Sequence, residues 1–109
     1  MPHVLFMEAT AFSHARQPTA AGTQAHVGVV AADPKVLPLG TRIRVSGTHG
    51  YDGNYLVTDT GAAVKGRHID LYLPSTIQAQ QFGKKTVKVR ILRTGHGIAS
   101  AQRRDQRDH

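Results

Sequence analysis

The sequence predicts an all-β domain: a small closed barrel of six short strands with one or two short helices. Three observations carry that expectation. Gly and Pro punctuate the chain so densely that the ordered segments between them are short. Most of those segments either alternate apolar and polar residues or run continuously apolar and β-branched, as strands do. Only one segment has both a helix start and a helix stop. A sheet of about six short strands hides its edges best by closing on itself.

The elements follow in order. Val4–Phe12 mixes apolar and β-prone residues and reads as the first strand. Gln17-Pro18-Thr19-Ala20-Ala21-Gly22 reads as a loop. His26–Ala32 is small and apolar, as in a buried strand, and Asp33-Pro34 through Leu37-Pro38-Leu39-Gly40 is a turn region. In Thr41-Arg42-Ile43-Arg44-Val45, Ile43 and Val45 point one way and Arg42 and Arg44 the other. Gly47–Gly53 is a loop, Asn54–Asp59 a strand and Gly61–Gly66 another loop. In the strand His68–Leu73, residues Ile69, Leu71 and Leu73 share one face, and His68, Asp70 and Tyr72 share the other. Ser75 is an N-cap for a helix over Thr76–Phe82, and Gly83 is its stop. Thr86–Leu92 is the last strand. One barrel domain over residues 1–94 is expected, followed by a frayed polar tail over 95–109.

Composition narrows the function. At 109 residues the chain holds one modest core. Without Trp and with few aromatics, that core is Val, Ile, Leu and Ala. The net charge of +7 suits polyanions: nucleic acid, anionic lipid or acidic wall polymers. The basic residues do not form a run interleaved with aromatics, which argues against nucleic acid. The absence of Cys excludes disulfides, thiolate metal sites and a Cys nucleophile. No apolar run is long enough to span a membrane as a helix, and Met1–Met7 lacks the layout of a signal peptide.

Asp59-Thr60-Gly61-Ala62 raises the possibility of an aspartic protease, in which two such loops share a proton between two carboxylates. The chain has a single copy, Thr58 stands where an apolar residue is usual, and the motif lies past mid-chain. The plainer expectation is a turn in which Asp59 caps backbone N–H groups and Gly61 supplies a positive φ. The seven histidines are dispersed. Only His68 and Asp70, two apart on one face, suggest a shared metal ion, and no metal or other cofactor is expected.

The aspartate continues into Asp59-Thr60-Gly61-Ala62-Ala63-Val64-Lys65-Gly66-Arg67-His68-Ile69-Asp70-Leu71-Tyr72. This resembles the 3D domain, named for three aspartates, found in membrane-bound lytic transglycosylase A and in stationary-phase survival proteins. Ala9-Thr10-Ala11-Phe12, Thr19-Ala20-Ala21-Gly22, Val30-Ala31-Ala32-Asp33-Pro34, Leu37-Pro38-Leu39-Gly40-Thr41-Arg42 and Ala79-Gln80-Gln81-Phe82-Gly83 resemble further blocks of that family in the same order. The three aspartates are then Asp33, Asp59 and Asp70. Departures are Phe12 for Tyr, Ala62 for Gly, and the missing cysteines of many members.

The resemblance implies a double-psi β-barrel acting on peptidoglycan outside the cell or in its envelope. A lytic transglycosylase of this type needs one carboxylic acid with a raised pKa. Asp70 matches the general acid/base and Asp59 its neighbour, whose charge, if close, raises the pKa of Asp70. Asp33 orients a loop or contacts substrate. Thr10 matches a groove position, Thr60 and Gly61 belong to the motif loop, and Lys65 suits acidic groups of the muropeptide. A homodimer is one way for so small a domain to complete a cleft. The same barrel also implies two alternatives, an expansin-like module that binds polysaccharide without cleaving it and an endoglucanase-like hydrolase with two aspartates.

Overall fold

The computed structural model describes residues 3–13, 27–61 and 64–97. The expected loop at 17–22, the residues before Val27 of the second strand, and most of the tail lie outside these residues.

Six strands close into a barrel. They are β1 (Val4–Phe12), β2 (Val29–Ala32), β3 (Arg42–Ser46), β4 (Gly53–Asp59), β5 (His68–Tyr72) and β6 (Lys85–Arg93), with one helix, α1 (Thr76–Phe82), between the last two. Around the barrel the order is β1-β5-β2-β4-β3-β6, with β6 returning to β1. Two pairs are parallel, β1 with β5 and β2 with β4, and the rest are antiparallel. This interleaving of distant strands is the double-psi arrangement, and it leaves no free edge.

Alternation decides which side chains fill the interior. Met7, Ala9, Val30, Ala32, Ile43, Val45, Val57, Ile69, Leu71, Val87 and Val89 are buried and form one core. Ala9 and Ala32, with Met7 and the branched residues of the other strands, fill so narrow a barrel without any Trp. Arg42 and Arg44, between the buried residues of β3, are exposed as expected.

The helix α1 packs against β1 and buries one face only. Ser75 Oγ accepts from Gln78 N at 3.2 Å, and Gly83 ends the helix at φ 66°. The helix buries Phe82, edge-on to Tyr51 at 5.8 Å. Strand limits coincide with the expected ones or differ by a single residue. The exception is β2, which begins at Val29 because Val27–Gly28 forms a turn with Val27 exposed.

Candidate functional site

Strands β1 and β5 run side by side in a register that pairs Glu8 with His68, Thr10 with Asp70 and Phe12 with Tyr72. Ile69 and Leu71 enter the core, so the alternation turns His68, Asp70 and Tyr72 to the outside of the barrel. Thr10 Oγ1 donates to Asp70 Oδ1 at 3.0 Å and lies 2.8 Å from His68 Nε2. A hydroxyl has one hydrogen. With that hydrogen on Asp70, the Thr10 oxygen accepts, so Nε2 of His68 is the donor in their contact. Burial pushes the Asp70 carboxyl above the usual carboxylate range, while the Thr10 hydrogen bond and the charge of His68 pull it back. The result is a half-buried acid held in one orientation.

Asp59 is not the immediate neighbour of Asp70. Ala31 of β2 pairs with Asp70 on one side and with Asp59 on the other. A whole strand therefore stands between the two aspartates, placing their backbones about 10 Å apart at two inter-strand spacings. Burial, not the charge of Asp59, raises Asp70. A bulge at Val30/Ala31 brings Asp59 rather than Thr58 opposite Ala31. Asp59 Oδ1 accepts from Thr60 N at 2.9 Å, and Thr60 is exposed.

Gly61 does not have the positive φ expected of it. A Cβ there would come 2.7 Å from Val64 Cγ2, and Val64 N donates to Gly61 O at 3.0 Å. Close approach, not a left-handed backbone, is what requires glycine at this position.

Asp33 ties two loops together. Its Oδ1 accepts from Lys35 N at 3.0 Å and its Oδ2 from Gly66 N at 2.8 Å. These two backbone bonds hold its carboxyl below the usual range, helped by the charges of Lys65 and Lys35. Gly66 N also places the chain just ahead of His68, so Asp33 supports the start of β5. Lys65 is exposed beside it.

Sequence reasoning missed two contributors. Phe12 and Tyr72 meet edge-to-face at 5.5 Å on the same outer face as Thr10 and Asp70. They sit one rung along, about 7 Å away at two residues of strand rise. Alternation alone gives their common side, but their contact depends on the β1/β5 pairing. His68 is engaged with Thr10 through Nε2. Among the described residues no three His, Asp or Glu side chains cluster to hold a metal ion. Two hollows, of about 330 and 250 Å³, lie on the β4/β3/β6 side.

The 3D domain family model matches residues 28–93, which include Asp33, Asp59 and Asp70. The putative cell wall shaping protein YabE of Bacillus subtilis is 45% identical over 64 residues, covering 59% of this chain and 15% of that protein. The chain thus matches a small part of a much longer relative. Lytic transglycosylase MltA of Escherichia coli with bound chitohexaose superposes at TM-score 0.59 with 21% identity, covering 75% of this chain and 29% of that one. An expansin of Clavibacter michiganensis in complex with cellohexaose superposes at TM-score 0.62 with 18% identity, covering 86% of this chain and 52% of that one. At these identities the two structures speak for the shared barrel.

Proposed function

Because this chain belongs to the 3D domain family, we propose that it is a peptidoglycan lytic transglycosylase with Asp70 as its single acid/base. The observation that carries the reading is Asp70 itself. It is a half-buried carboxyl pushed upward by burial, clamped by Thr10, and separated from Asp59 by a strand. One such acid suffices for an intramolecular cleavage, whereas most glycoside hydrolases work with two carboxyls set a short distance apart across the bond.

The protonated Asp70 gives its proton to the oxygen between MurNAc and GlcNAc, and the C1–O bond breaks. The C6 hydroxyl of the same MurNAc then closes onto C1, and its proton returns to the Asp70 carboxylate. No water is consumed, the product carries a 1,6-anhydro ring, and the enzyme is regenerated as the acid. Thr10 and His68 orient the carboxyl and keep its pKa from rising further. Phe12 and Tyr72 offer an apolar platform for the adjoining sugar ring. Asp59, with Thr60 and Gly61, contacts the glycan at the next site along. Lys65 meets acidic groups of the muropeptide, and Asp33 holds the loop that presents them. The place of action is the cell envelope or its exterior, which the likeness to a wall-shaping protein supports.

A second reading, an expansin-like module that binds wall polysaccharide without cleaving it, is favoured by one feature. Asp70 lies on an outward strand face and is only half-buried. A second body, a companion domain or another copy, would close the cleft in either reading. Digestion of purified peptidoglycan distinguishes the chemistries. Anhydro termini support the transglycosylase, reducing termini a hydrolase, and wall binding with no product the expansin-like module.

A further inference from the structure

Strands β3 and β6 lie across the barrel from the β5/β2 seam that carries Asp70. Their outer face presents five exposed cations, Arg42, Arg44, Lys88, Arg90 and Arg93. Register sets like against like, with Arg42 opposite Arg93 and Arg44 opposite Arg90. Neither strand contains a carboxylate. Like charges directly opposite each other destabilise a sheet, and at the second of these rungs Arg44 is relieved in part by Asn54 Oδ1 at 3.2 Å and by the charge of Asp52. Simple alternation would send Arg93 to the same side as Ile91, into the barrel. A register shift beside Arg42 instead sets Arg93 opposite it, with its side chain exposed. Re-aiming a side chain is what such bulges do.

Arg42 and Arg93 also wall a groove of about 330 Å³, with His96 on its lining and the backbone of Gly40 and Gly95 along it. The groove is built rather than incidental. Gly95 N donates to Thr41 Oγ1 at 2.9 Å and Gly97 N to Leu39 O at 3.0 Å, which lays the segment after β6 across the start of β3. Any side chain at position 95 would collide with the Leu39 carbonyl oxygen.

We propose that this face is a second binding surface, for a phosphodiester polymer of the cell wall, with the Arg42–Arg93 groove seating one phosphate and Arg44, Arg90 and Lys88 meeting the charges that follow. Guanidinium forks match phosphate oxygens in pairs. Successive rungs about 7 Å apart make a stripe, which suits a linear polyanion better than a single small anion. Nucleic acid is disfavoured because the stripe has one aromatic neighbour, Phe6 opposite Lys88, and no series on which bases could stack. Lying on the far side from Asp70, the surface can hold the domain on the wall while the glycan face stays open. The inference goes beyond cleavage and does not depend on it.

The test is binding of fluorescent poly(glycerol phosphate) to the whole chain. The comparison is with Arg42→Gln/Arg93→Gln and with Lys35→Gln/Arg67→Gln, which removes equal charge elsewhere. The groove variant should bind about tenfold more weakly, with a log–log salt slope shallower by roughly 1.5, and the control should stay within about twofold. Its melting temperature should not fall, because a like-charge rung has been relieved. Equal weakening in the control, no binding by the parent chain, or tighter binding of oligothymidylate than of poly(glycerol phosphate) would each overturn the proposal. No cleavage enters the assay, so its failure and that of the transglycosylase reading are seen separately.

Discussion

Thr10 and Asp70 stand directly opposite each other on parallel strands from opposite halves of the chain, and the Thr10 hydroxyl donates to Asp70 Oδ1 at 3.0 Å. That bond favours the ionised carboxylate and works against burial, which favours the acid. Thr10→Val removes it while keeping the shape. The pKa of Asp70 should then rise further, so the alkaline limb of the pH–rate profile moves to higher pH. Turnover at the optimum should fall about ten- to a hundredfold, the scale of one hydrogen bond to a charged group. A pH–rate series on both proteins checks it.

Asp70→Asn separates activity from stability. Loss of the acid should cost roughly 10²–10⁴ in rate. The folded pKa of Asp70 lies above its unfolded value, so the folded state holds this proton more tightly and loses stability as pH rises through the carboxylate range. The amide has no such penalty. The variant should melt higher than the parent at about pH 7, and the gain should vanish at about pH 3.

Asp33 behaves in the opposite sense. Its folded pKa is lowered by the amides of Gly66 and Lys35. The stability it contributes is present above the unfolded pKa and is lost as pH falls through the folded one. Asp33→Ala should lower the melting temperature at neutral pH and speed amide exchange at Gly66 and Lys35. It should also weaken activity, because Gly66 leads into His68. Exchange measured residue by residue would show whether the effect is confined to those two loops.

Thr58 carries a buried hydroxyl with no hydrogen-bond partner among the described residues. Thr58→Val keeps the branched shape and removes the unsatisfied oxygen. Stability should rise by about 1 kcal/mol in urea unfolding, with the slope unchanged.

The strands were legible because side-chain alternation is a local property. Ile43/Val45 against Arg42/Arg44, and Ile69/Leu71 against His68/Asp70/Tyr72, already separate core from surface. The helix was legible from Ser75 and Gly83, since caps are also local. What sequence could not supply is register between distant strands. Only the pairing of β1 with β5 puts Thr10 on Asp70 and Phe12 on Tyr72. Only the placement of β2 between β5 and β4 shows that Asp59 and Asp70 are a strand apart. The exposure of Arg93 follows from a bulge that no alternation rule contains. The reason for glycine at 61 is not legible locally, because the approach of Val64 depends on the folded loop.

In the proposed function Asp70 alone performs an anhydro-forming cleavage. Its most direct test is mass spectrometry of purified peptidoglycan digested with the parent protein and with Asp70→Asn, alongside pull-down of both on intact wall. The expected result is muropeptides lighter by one water from the parent, none from the variant, and wall binding by both. Hydrated reducing-end products, or equal anhydro product from Asp70→Asn, would contradict it.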